Sequence, residues 1–116
     1  MINLTDLEKK INSELTTKIN FSKIKHNHLY LSIDAEDLIN VVLFLKNNKD
    51  TKFRQLIDIT AVDYPENTKR FKMVYLFLSH EFNQRILVNY TINENEVIPS
   101  ITKIFPSANW MEREVF

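Results

Sequence analysis

The chain has 116 residues, 44% of them hydrophobic and 26% charged, and its 15 basic side chains balance 15 acidic ones for a formal net charge of zero. That length supports one domain around one apolar core, and the zero balance gives no broad pull toward nucleic acid or an anionic membrane. Missing residue types exclude more: without cysteine there is no thiolate for a zinc or iron–sulfur site, and without glycine there is no glycine-rich phosphate cradle.

No apolar run approaches the roughly 20 residues that cross a bilayer; Val41-Val42-Leu43-Phe44-Leu45 is typical of the short runs present. The first residues have neither the basic start and apolar middle of a secretory signal nor the arginine-rich character of a transit peptide. The expectation is a protein that stays in the compartment where it is made. Turns must be built from Asn, Asp, Ser, Pro or Lys.

In chain order, Leu4, Leu7, Ile11 and Leu15 recur at helical spacing. Thr5-Asp6-Leu7-Glu8 has the form of a capping box, which places the helix start at Thr5. Ile19 and Phe21 then share one face of a first strand, and Leu29, Leu31 and Ile33 one face of a second. The polar Lys25-His26-Asn27-His28 lies between them as a hairpin turn. Asp34 is positioned to cap a second helix with Leu38, Val41, Val42 and Leu45 as its buried stripe. That helix ends in Lys46-Asn47-Asn48-Lys49, which suits the negative end of a helix dipole.

Three strands follow. Phe53 to Val62 carries apolar residues on both faces, as a central strand does. Asp63 to Thr68 is a loop. Phe71, Met73, Tyr75 and Phe77 alternate with Lys72, Val74 and Leu76 in the next strand. A turn at Ser79-His80-Glu81 leads into Phe82 to Tyr90, where Phe82, Gln84, Ile86, Val88 and Tyr90 share a face. Pro99 opens a short helical turn to Ile104, and Ser107 caps a final helix. The order is helix, two strands, helix, three strands, then short C-terminal helices. That pattern makes an α+β two-layer sandwich with helices on one face of a mixed sheet, in a single domain over residues 1–116.

Few residues offer chemistry. His26 and His28 form a His-x-His pair that on a strand would grip a metal from one side, but they fall in a polar turn without an obvious third ligand. His80 also falls in a turn. No hydroxyl–histidine–carboxylate order surrounds any of the three. Asp58 and Asp63, five residues apart, face opposite sides of an extended strand, which argues against a paired-acid site. Asp58 within an apolar strand needs a partner; Arg85 or a backbone turn would supply one. These observations designate no catalytic, cofactor-binding or metal-binding residue. The closing segment is left with two readings: Trp110 packs under the domain with its neighbouring charges solvated, or it docks a partner, since Trp and Arg dominate interface energetics when desolvated.

Several stretches together carry a resemblance. They are Asp58-Ile59-Thr60-Ala61-Val62-Asp63-Tyr64-Pro65, Asn83-Gln84-Arg85-Ile86, Pro99-Ser100-Ile101, and Phe105-Pro106-Ser107-Ala108-Asn109-Trp110-Met111-Glu112-Arg113-Glu114. In that order they resemble the 30-kDa subunit of respiratory complex I, the C subunit of the bacterial NADH–quinone oxidoreductase. The likeness is strong from Phe53 onward, and over the first fifty residues only the element order agrees. Glu112-Arg113-Glu114 resembles the start of the family signature, which continues with an acidic residue and an apolar pair, so the expectation is a chain cut short of the family's C-terminal tail.

The resemblance implies a non-catalytic structural subunit of the hydrophilic arm of complex I. It implies no cofactor on this chain, with flavin and iron–sulfur clusters on partner subunits. The implied partners are other hydrophilic-arm subunits, above all the 49-kDa-type subunit that forms the quinone site, with no nucleic acid and membrane contact only through partners. The implied place is the cytoplasmic face of a bacterial inner membrane, or the matrix side in a mitochondrion. Trp110, Glu112, Arg113, Glu114 and Phe116 are the suspected partner interface. Close alternatives are the equivalent subunit of a membrane-bound hydrogenase or plastid-type dehydrogenase; a small metal-binding module stands further off.

Overall fold

The structure is a computed structural model and describes residues 3–15, 19–48, 51–66, 71–81, 83–93 and 100–115, of which Glu114 and Val115 are described in backbone only. Its elements are α1 (Leu4–Glu14), β1 (Ile19–Lys25), β2 (His28–Ile33), a 3-10 turn (Ala35–Asp37), α2 (Leu38–Asn47), β3 (Gln55–Asp63), β4 (Phe71–Ser79), β5 (Gln84–Ile92) and α3 (Ala108–Val115). The order expected from the sequence holds.

The sheet runs β1-β2-β5-β4-β3. Its pairs are antiparallel except for β2 and β5, which run parallel with Leu29 opposite Ile86 and Leu31 opposite Val88. The fold is therefore α+β with a mixed sheet. One apolar cluster joins Leu7 and Ile11 of α1, Leu38, Val41, Val42 and Leu45 of α2, and Ala108 of α3 to one face of the sheet. That face carries Leu29, Leu31, Met73, Tyr75, Phe77, Ile86, Val88 and Tyr90. Fully burying one such aliphatic or aromatic side chain contributes roughly 1.5–3 kcal/mol.

Sequence expectations fail where local chemistry had a competitor. The cap of α1 is Asn3, whose Oδ1 accepts the Asp6 N–H at 2.8 Å, so the helix begins one residue before the Thr5 box. Asp34 makes no capping bond; its Oδ1 accepts from Asn20 Nδ2 at 2.9 Å, and a 3-10 turn precedes α2. Phe21 is exposed, because a register shift between Ile19 and Phe21 moves it off the face of Ile19. Most consequential, β3 is an edge strand and not a central one. Its residues from Thr60 to Asp63 are all exposed, and a bulge after Leu56 resets its alternation so that Ile59 returns to the core.

With no glycine, tight turns place other residues at positive φ. The β1–β2 loop has only His26 (φ 53°) and Asn27 (φ 63°) between paired strand ends, the sign pattern of a type I′ turn. Asn83 (φ 51°) does the same at the β4–β5 tip. The C-terminal end of α2 is closed by Thr51, whose buried hydroxyl donates to the Leu45 carbonyl at 2.7 Å. Lys46 Nζ crosses to the Ile104 carbonyl at 2.6 Å and lies over the Phe105 ring. The expected Pro99 turn start and the Phe82 strand start lie outside the described residues. From Ile101 the chain makes a turn rather than a helix, with the Ile101 carbonyl accepting both the Ile104 and Phe105 N–H groups.

Candidate partner-docking surfaces

Two sets of buried polar groups, on Glu112 and on the Tyr75–Tyr90 pair, are bonded internally. Glu112 sits on the inward side of α3, 6% exposed. Its Oε1 accepts the Ile101 N–H and its Oε2 the Ser100 hydroxyl, both at 2.9 Å. A buried carboxylate with two donors is a tie between segments, stronger than a neutral hydrogen bond. In the core, the Tyr75 and Tyr90 hydroxyls are 2.8 Å apart and their rings tilt together at 5.7 Å. Burial pushes the Tyr75 phenol up to about 12, opposed by its bond to Tyr90 and aided by the Glu112 charge. Burial raises Tyr90 further still, with Tyr75 and Glu112 adding to it.

The other suspected interface residues separate by orientation. Trp110, two positions before Glu112, is 69% exposed, and Arg113 is exposed beside it. The reading in which Trp110 packs under the domain is thereby overturned. Its ring helps wall a cavity of about 280 Å³ with Asp58, Ile59 and Met111, where α3 lies along β3. Val62 and Tyr64 are exposed further along the same strand and its loop. The side chain of Glu114, and Phe116, lie outside the described residues.

A second surface has no counterpart in the sequence expectations. The sheet face away from the core carries half-buried Val74, Leu76 and Leu78 of β4, Leu87 of β5 and Tyr30 of β2. Registers join Lys23, Tyr30, Leu87, Leu76 and Asp58 into one row across all five strands. The Lys23 ammonium lies 5.5 Å from the Tyr30 ring centroid. The row is apolar in the middle and charged at its ends. The signal was in the sequence: β4 is apolar on both parities, which a single helical layer covers on only one side. Contiguous apolar surface rimmed by charge marks an interaction site more often than a catalytic one.

The residues weighed for chemistry are dispersed. His26 is exposed in the turn while His28 begins β2, so the two do not alternate on one strand face. His80 contacts Gln55 through Nε2. Asp58 is exposed, and of the two partners expected for it, Arg85 or the backbone, the described contacts show the backbone. Asp58 Oδ1 accepts the N–H of the next residue, Ile59, at 2.9 Å, at the bulge that turns its side chain outward. Among the described residues, the carboxylates that gather within 4.8 Å are those of Asp34, Glu36 and Asp37, ahead of α2, where a helix dipole favours negative charge. No helix among the described residues is long and apolar enough to cross a membrane.

The family model of the respiratory-chain NADH dehydrogenase 30 Kd subunit matches residues 31–116, beginning within β2. The NADH-quinone oxidoreductase C subunit of Ruegeria pomeroyi is 47% identical over 93 residues, covering 80% of this chain and 46% of that protein. The C subunit of the Rhodobacter capsulatus enzyme is 37% identical over 113 residues, covering 97% and 57%. The chain thus spans about half the length of the curated relatives it matches. A chain in the structure of a membrane-bound sulfane sulfur reductase, an archaeal respiratory membrane complex, superimposes with a TM-score of 0.82. It is 21% identical and covers 95% of this chain and 64% of that one, a likeness of fold.

Proposed function

The chain belongs to the respiratory-chain NADH dehydrogenase 30 Kd subunit family, and from that premise we propose that it serves as a non-catalytic structural subunit of an NADH–quinone oxidoreductase. The observation that carries the reading is the contrast between interior and surface. Buried polar groups such as Glu112 and the Tyr75–Tyr90 pair are committed to internal bonds. The surface meanwhile offers Trp110 and an apolar sheet face. A side chain as large as Trp110 left 69% exposed has most of its burial free energy still to gain from a partner.

In this reading the chain holds neighbouring subunits in fixed geometry, and a site for electron transfer or quinone is only as well placed as its support. The partners are other hydrophilic-arm subunits, with the 49-kDa-type subunit the foremost of them. Flavin and iron–sulfur clusters sit on partners, consistent with 116 residues that hold no cysteine and no glycine. Attachment is peripheral, through partners, on the cytoplasmic face of a bacterial inner membrane. An equivalent subunit of a related membrane-bound complex would share the fold; the relatives at 47% and 37% identity favour the quinone oxidoreductase.

Assembly tests this. Leu76→Lys places a charge in the middle of the open sheet face and is expected to lower incorporation of the protein into the complex, read by native electrophoresis and NADH–quinone activity of membranes. Full incorporation and activity of a variant carrying both Leu76→Lys and Trp110→Ala would refute docking through these surfaces. Robust NADH oxidation by the purified chain alone would refute the structural role.

A further inference from the structure

The two hairpin tips come together at one end of the sheet because β2 and β5 are parallel neighbours that both start there. Their register begins at Leu29 opposite Ile86, so the residues immediately before them, His28 and Arg85, are adjacent. Between the tips lies a cavity of about 330 Å³ lined by Leu4, Asn27, His28, Asn83, Gln84 and Arg85. That is many times the roughly 30 Å³ a water occupies in the liquid.

The lining has a definite chemical character. Among the described residues it holds one guanidinium, one imidazole and three carboxamides, and no carboxylate. Arg85 is exposed and forms no ion pair among the described residues, whereas the acid at the same tip, Glu81, is held by Lys52 at 2.9 Å. His28 Nδ1 is buried and without a hydrogen-bond partner among the described residues. A buried polar atom in that state is costly to leave unpaired, and the broad χ2 of a histidine lets its ring turn toward a bound acceptor. Leu4, the first residue of the 11-residue α1, brings the positive end of that helix dipole to the wall. Positive φ at Asn27 and Asn83 holds both tips in tight turns around the opening.

We propose that this cavity binds a small oxyanion, a carboxylate or a phosphate, between Arg85 and His28. The planar guanidinium fork matches two oxygens of such a group, and the carboxamides supply further donors. The site is remote from Trp110 in sequence and independent of the docking role, which stands or falls separately.

The experiment is a pair of titrations of the 15N-labelled 116-residue chain, with inorganic phosphate and with acetate, each against chloride at equal ionic strength. The expected result is saturable shifts confined to Asn27, His28, Asn83, Gln84 and Arg85. Saturation by phosphate alone assigns a phosphate-type ligand. Saturation by acetate at the same residues assigns a carboxylate, free or on a partner's side chain. Arg85→Gln is expected to weaken binding at least tenfold and His28→Gln several-fold, with melting temperatures unchanged for the exposed Arg85 and checked for both. Arg85→Lys keeps the charge without the fork and should fall between. Shifts that stay linear and spread over the surface, or saturable shifts indifferent to Arg85→Gln, would overturn the proposal.

Discussion

Glu112 on α3 reaches back to accept the backbone N–H of Ile101 at 2.9 Å, in a place where neither atom meets solvent. With the Ser100 hydroxyl on its second oxygen, one carboxylate fixes how the last helix sits against the turn that precedes it. Replacement by alanine removes both acceptors and strands a buried amide, so Glu112→Ala should destabilise by about 2–4 kcal/mol. Chemical denaturation measures this; a loss below about 0.5 kcal/mol, the range of ordinary surface changes, would show that the tie does not hold α3.

Trp110 should behave in the opposite way. At 69% exposure its truncation removes little buried area, and Trp110→Ala should shift the stability of the free chain by less than about 0.5 kcal/mol while impairing assembly. A loss of several kcal/mol in the free chain, as for emptying a core site, would mean that the ring is buried in solution.

The Tyr75–Tyr90 pair makes a coupled prediction. Removing one hydroxyl leaves its partner buried without a bond, so Tyr75→Phe should cost about 1–3 kcal/mol. The double change to Phe should cost clearly less than the two single changes summed. Additive costs in the double-mutant cycle would show that the 2.8 Å contact contributes nothing.

The same pair predicts alkaline behaviour. Burial raises Tyr75 from 10.0 to about 12 and Tyr90 further, so the native state keeps phenol protons that the unfolded chain releases. Below the unfolded pKa of about 10 both states are protonated and stability is unaffected by these groups. Above it the unfolded state binds fewer protons, and stability falls by about 1.36 kcal/mol per pH unit for each such tyrosine. For Tyr75 the fall continues until about pH 12. Phenolate absorbance should show Tyr75 and Tyr90 titrating only with unfolding; ionisation near pH 10 in the folded chain would contradict it.

At the β1–β2 tip, Asn27 holds φ 63° in a chain without glycine. Glycine occupies that region without the steric penalty of a Cβ, so Asn27→Gly should be neutral or stabilising by up to about 1 kcal/mol. The corresponding change to Val should destabilise, because a β-branched residue is an outlier there. Equal melting temperatures for Gly and Val would refute the turn geometry.

Much of this protein is written in its residue order. Period 3.6 in Leu38, Val41, Val42 and Leu45 and period 2 in Met73, Tyr75 and Phe77 set the elements and the buried faces. Alternation is a local property, dictated by where a side chain points from its own backbone. The missing cysteine and glycine likewise narrowed the chemistry before any contact was known. Strand order was a different matter. Nothing local told β3 that it would be an edge or β4 and β5 that they would be central, since neighbours in a sheet are chosen by closure of the whole core. The roles of Trp110 and Glu112, two positions apart on one helix, were also decided only by packing: rotation about the helix axis sends one to solvent and the other to the Ile101 amide. The meeting of His28 with Arg85, 57 positions later, followed from the parallel pairing of β2 with β5, a contact between distant segments that no pattern within either of them encodes.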